Sequence, residues 1–150
     1  MDSLPLTPSK KIPRPNLLNM ALYFDLPVYK SCYSLLVETT RLTPHLPRVC
    51  RYTLGQDLRK GVMDILKMIY RANATRNKVP IISRMRETLL EVQLDTRLMC
   101  DLKYISEKQY TLFVEQTADI SKQLAAWEKS ERVAAKNKRN SDGQETAEKK

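Results

Sequence analysis

Apolar residues recur at helical spacing in long stretches of this chain, and most prolines fall between those stretches. At 100° per residue, Leu54, Leu58, Val62, Ile65, Ile69 and Ala72 fall within roughly an 80° arc, one face of a helix. They predict a helix from about Arg48 to about Asn73. Ile82, Met85, Leu89, Val92, Thr96 and Met99 alternate spacings of three and four residues. They predict a second helix with Pro80 in its first turn. Tyr110, Phe113, Val114, Thr117, Ile120, Leu124 and Trp127 share a face of another helix. Before them stands Ser106-Glu107-Lys108-Gln109, in which the serine and glutamine have capping-box spacing. Ahead of all three, a helix is expected from Asp25 as N-cap, with Pro27 in its first turn, to just before Pro44. It would turn Tyr29, Cys32, Leu36 and Thr39 to one side.

The connections, Pro44-His45-Leu46-Pro47 and Thr75 to Lys78, are short. Four long helices so joined predict an all-α fold, an up-down-up-down four-helix bundle over residues 25–130. Residues 1–24 hold Pro5, Pro8, Pro13 and Pro15 and read as an extended arm. Residues 131–150 are charged and carry no apolar stripe. They read as a tail that frays through Lys138 and is disordered over its last ten residues.

One helix has an apolar row too many. Leu90, Leu94, Leu98 and Leu102 lie opposite the core stripe of their helix, among Glu87, Glu91 and Asp101. A helix at the edge of a bundle needs one stripe only. A seam between subunits is the preferred explanation; burial of both rows within one chain is the alternative.

Charge sharpens the picture. The 150 residues include 26 Lys and Arg against 17 Asp and Glu, a net charge of +9. Residues 48–78 carry eight basic side chains and two acidic ones: Arg48, Arg51, Arg59, Lys60, Lys67, Arg71, Arg76 and Lys78 against Asp57 and Asp64. On the helix, Arg59, Lys60, Lys67 and Arg71 fall at roughly 140° to 260° from Leu54, away from the core stripe. A concentrated positive field favours polyanions, nucleic acid foremost. Tyr52 and Tyr70 stand among these cations as candidates for stacking on unpaired bases. The blander readings are a charged, solvated face, helix ion pairs of Lys60 and Lys67 with Asp64, Arg51 capping a neighbouring helix, and tyrosines packed at a subunit contact. Arg97 is placed to pair with Asp101, and Trp127 reads as core.

Little chemistry is on offer. Cys32, Cys50 and Cys100 form no C-x-x-C pair and read as buried free thiols in a reducing, cytoplasmic setting. His45 is the lone histidine and has no acid beside it in sequence. A Cys50–His45 nucleophile pair and a metal site from His45, Cys32 and Cys50 are both disfavoured, so no catalytic residue, metal or cofactor is assigned. Three glycines argue against a phosphate-cradling loop. No apolar run reaches the ~18 residues of a membrane helix. Lys10, Lys11 and Arg14 precede an apolar patch that Asn19 interrupts and Asp25 follows; this reads as a docking arm, not a signal peptide.

Four stretches carry a resemblance over about residues 26–130. They are Leu26-Pro27-Val28-Tyr29-Lys30; Leu46-Pro47-Arg48 followed by Arg51-Tyr52-Thr53-Leu54-Gly55; Leu94-Asp95-Thr96-Arg97-Leu98-Met99; and Ile120-Ser121-Lys122-Gln123-Leu124-Ala125-Ala126-Trp127. The chain resembles the four-helix-bundle family of bacterial rRNA intervening-sequence proteins and the accessory variability determinant proteins of diversity-generating retroelements. Its Ile-x-x-x-Leu-x-x-Trp ending looks like the retroelement branch, although Ala125-Ala126 stands where glycines are expected. The resemblance implies a non-catalytic accessory subunit forming a homopentameric barrel. It implies partners too: the element's reverse transcriptase and template RNA, with the complementary DNA as a further ligand. The alternative within the family is an oligomeric scaffold of the intervening-sequence type with no retroelement role.

Overall fold

A residue that precedes proline is driven out of the helical region, and that restriction sets the start of the first long helix. In the computed structural model, which describes residues 23–148, Leu26 is extended (φ −61°, ψ 128°) and Pro27 opens α1, Pro27–Leu42. Asp25 is therefore not the cap; it closes a helical turn over residues 23–25. Tyr23 and Phe24 are helical too, not extended as expected, and the rest of the arm lies outside the described residues. Val28, Cys32, Leu35, Thr39 and Leu42 are the buried side of α1, with Tyr29 and Leu36 at its edge.

The helix expected over 48–73 is broken. Arg48–Arg51 form a single turn, α2, and Leu54–Asn73 form α3. The backbone leaves the helical region at Tyr52 (φ −95°, ψ 1°) and Thr53 (φ −114°, ψ −96°); the Thr53 carbonyl then accepts the Asp57 N–H and starts α3, while its hydroxyl donates to the Val49 and Cys50 carbonyls (3.0 and 3.3 Å). Gly55 then passes so close to the loop that a Cβ there would lie 2.8 Å from Leu46 Cδ1.

Val79–Asp101 form α4 and Glu107–Glu148 form α5. The structure is all-helical, with no strand among the described residues. α1 packs on α3 and α5, α3 on α4, and α4 on α5, so each long helix meets two others. The predicted stripes fill the space between them: Leu58, Val62, Ile65, Ile69 and Ala72 of α3, the whole Ile82-to-Met99 row of α4, and Phe113, Thr117, Ile120 and Leu124 of α5 are buried. Trp127 packs against this core, while Val114 stays exposed. No helix of the described residues is long and apolar enough to cross a membrane.

Leu90, Leu94, Leu98 and Leu102 remain 55%, 59%, 45% and 50% exposed. The described residues therefore do not bury both rows of α4.

Two end signals are fully formed. The Ser106 N–H donates to Gln109 Oε1 (2.9 Å) and the Gln109 N–H to Ser106 Oγ (3.1 Å), completing the capping box. α4 ends in a Schellman motif: the Tyr104 N–H reaches the Met99 carbonyl and the Lys103 N–H the Cys100 carbonyl. Lys103 takes the left-handed conformation (φ 60°) that glycine ordinarily supplies.

The largest departure from expectation is at the end of the chain. α5 does not fray near Lys138 but continues to Glu148, and residues 132–144 are exposed. Alanine, lysine and arginine are good helix formers, and a helix that is polar all round needs no core. Its root is clamped. Glu128, 8% exposed, accepts from Arg86 Nη1 of α4 (2.8 Å) and from Arg132 Nη2 and Nε (2.8 and 3.2 Å). Hydrogen bonds from Arg86 and then Arg132 hold its carboxyl below the ordinary glutamate range.

Lys103→Gly should stabilise the fold by about 1 kcal/mol by removing the left-handed Cβ strain, read as a higher urea midpoint. The lowered Glu128 carboxyl favours the charged folded form, so its contribution is present above the ordinary glutamate pKa and fades as pH falls through it. Urea midpoints taken between about pH 6 and about pH 3 should fall less in Glu128→Gln than in the parent.

Candidate nucleic-acid interface

A helix with one buried stripe commits its remaining positions to solvent, and on α3 those positions are basic. Arg59, Lys60, Lys67 and Arg71 are all exposed, and none makes an ion pair among the described residues. The expected pairs with Asp64 do not form. Arg48 on α2 and Arg76 after α3 are likewise exposed and without an ion pair among the described residues. Of these six, Lys60, Lys67 and Arg71 line one groove beside α3.

Arg51 and Lys78 belong to a different class. Arg51 Nη2 donates to the Pro44 and Leu46 carbonyls (3.0 and 3.2 Å), closing the loop between α1 and α2, and its Nε is buried without a partner. Lys78 Nζ donates to the Ala72 and Thr75 carbonyls (3.0 and 2.6 Å) and finishes α3. Both keep their charge, but each holds a loop or helix end through backbone carbonyls. Arg97, by contrast, makes its expected pair, donating Nε to both Asp101 oxygens at 3.1 Å.

The two sides of α3 differ in charge. Toward α4 lies a groove of about 720 Å³. Asp57, Asp64, Glu87, Glu91 and Asp95 line it together with Lys60, Lys67, Arg71 and Arg84. Burial, with Asp57 and Glu91 nearby, pushes the Asp95 carboxyl up. The five carboxylates of that lining nearly balance its four cations.

Toward α1 the lining is aromatic. Tyr70 meets the Tyr23 ring edge-on at 5.1 Å; Tyr23 stacks on Phe24 at 4.2 Å; Tyr29 contacts Tyr23 and Phe24, each at 5.1 Å. Tyr29 and Tyr33 lie nearly parallel, 6.2 Å apart. Burial first, then neighbouring tyrosines, push the Tyr23 and Tyr29 hydroxyls up, so both are neutral phenols at physiological pH. Of the two tyrosines singled out from sequence, Tyr70 joins this cluster, while Tyr52 stands apart, 67% exposed, in the turn before α3. The sequence reading missed the cluster. The i, i+4 spacing of Tyr29 and Tyr33 was the available signal.

The remaining reactive groups are quiet. Burial pushes the Cys32 thiol up to about 12 and raises that of Cys50. A thiol held protonated is a poor nucleophile and metal ligand. No cluster of three or more metal-ligating side chains occurs among the described residues. No protein-family model matches the chain, and no curated protein matches it.

The division between structural and free cations is measurable. Arg51→Ala should cost about 1–2 kcal/mol of stability by leaving loop carbonyls without their donor. Arg59→Ala should stay within about 0.5 kcal/mol of the parent. Urea unfolding of the two variants distinguishes them.

Proposed function

We propose that this protein is a non-catalytic, nucleic-acid-binding accessory subunit of a diversity-generating retroelement. In this reading it is an up-down-up-down four-helix bundle that assembles as a homopentamer in the cytoplasm. It holds template RNA, or the complementary DNA made from it, beside the element's reverse transcriptase. The observation that carries the nucleic-acid part is the set of exposed, unpaired cations: Arg48, Arg59, Lys60, Lys67, Arg71 and Arg76. Such side chains release counterions from a phosphate backbone and give affinity without reading sequence. The resemblance supplies the retroelement and the reverse transcriptase.

The exposed leucine row supports the assembly. Four leucines on one face of α4, each about half exposed, form an apolar strip of the kind that marks a protein contact. Repetition of the basic surface around a ring multiplies weak phosphate contacts into avidity. The leucine strip equally fits the second reading, an oligomeric scaffold of the intervening-sequence type whose charge serves solubility only.

Light scattering of the protein with and without a structured RNA, at low and high salt, separates the two. The first reading expects a mass near five times 17.4 kDa and RNA bound at low salt. Changing Arg59, Lys67 and Arg71 to Glu should weaken binding by more than about tenfold and flatten the salt dependence. An oligomer indifferent to RNA would leave the scaffold. A monomer without RNA affinity would sink both.

A further inference from the structure

The two grooves beside α3 share Lys67 and Arg71 as their common crest and otherwise differ in kind. The α4 side is lined by five carboxylates. The α1 side, about 590 Å³, is lined by Tyr23, Tyr29, Tyr33 and Tyr70 with Leu36, Met63 and Leu66, and by no carboxylate. Of its rings, Tyr33 and Tyr70 are 52% and 48% exposed, and Phe24, stacked on Tyr23, is 48% exposed. Rings so exposed are costly to leave in water without a use, and they lie beside unpaired positive charge.

We propose that this α1–α3 groove is the stacking site for unpaired bases of a single-stranded nucleic acid, with Lys67 and Arg71 holding the phosphates on either side. The proposal rests on the nucleic-acid reading of α3 and gives it a polarity. The backbone runs along the crest, and bases turn toward α1, away from the carboxylates facing α4. A base offers a flat π face to tyrosine or phenylalanine whatever its identity, so the site is tolerant of sequence. In a duplex the faces are already stacked on one another, so the groove selects unpaired segments.

Charge narrows the choice of occupant. The rim is positive, Lys67 and Arg71, and the lining holds no carboxylate to balance it. Residues 1–22 carry Lys10, Lys11 and Arg14 against Asp2, the wrong sign for Lys67 and Arg71. An anionic, ring-bearing polymer satisfies both the rim and the floor.

The test uses the full-length protein and two RNAs of equal length: an unpaired strand carrying 2-aminopurine, whose fluorescence falls when it stacks, and a blunt hairpin duplex. The variants are Tyr33→Leu with Tyr70→Leu, which keep apolar bulk but remove the ring faces, and Tyr33→Phe with Tyr70→Phe, which keep the faces. The leucine pair should bind the unpaired strand about tenfold or more weakly and lose the fluorescence quench. Its duplex affinity, salt dependence and oligomeric mass should be unchanged, and the phenylalanine pair should behave as the parent. If the leucine pair keeps the quench and stays within about twofold in affinity, the stacking site is wrong while the basic surface of α3 stands. A change of mass in the leucine pair would make the groove a subunit seam and overturn the proposal. If the parent binds neither RNA, the reading of α3 falls and the proposal with it.

Discussion

The seam between α3 and α4 closes because Gly61 carries no side chain. A Cβ at that position would lie 2.8 Å from Cγ2 of Val92, which is itself buried. Valine in a helix is held to one rotamer, so it cannot swing aside. This contact fixes how the two helices are rotated about their axes, and rotation decides what each displays. With Val62, Ile65 and Ile69 turned inward, Arg59, Lys60, Lys67 and Arg71 have nowhere to go but out. With Val92 and Leu89 turned inward, Leu90 and Leu94 are forced onto the opposite, wet side of α4. The basic surface and the leucine strip are thus two results of one packing decision.

Periodicity was a good guide wherever one face of a helix had to be dry. Every member of the Ile82-to-Met99 stripe is buried, because a 3.6-residue repeat leaves little choice of face. The capping box was legible for a similar reason: both of its bonds join residues three apart. What escaped was either very local or very distant. The break at Tyr52–Thr53 lies in the backbone angles of two residues that no hydrophobic periodicity marks. The continuation of α5 past Lys138 was not legible because that stretch carries no apolar stripe.

The candidate site shows the same division. Which cations lie on the outer face of α3 followed from angles around one helix. A structural role for Arg51 was among the readings, but the one for Lys78 was not, since a basic residue in sequence looks the same whether its partner is a phosphate or a backbone oxygen. The aromatic cluster joins residues 23–33 to residue 70, and the carboxylate-lined groove joins α3 to α4. Neither is a property of any single segment. Together they turn a uniformly basic helix into a crest with an acidic slope and an aromatic one.

The end of α5 has a mechanical meaning. From Glu131 to Glu148 the helix runs roughly 27 Å at 1.5 Å per residue, with residues 132–144 exposed on all sides. A free peptide of that length would hold its ends at no fixed distance. A helix seeded by a folded body needs no separate nucleation, since its first turns are already formed. The Arg86–Glu128–Arg132 clamp therefore serves as the socket of a boom. It sets the direction in which the boom leaves the body and the standoff of whatever is carried at its tip. A force applied out there would reach the body along α5 itself, through the clamp and then the buried Leu124 and Ile120.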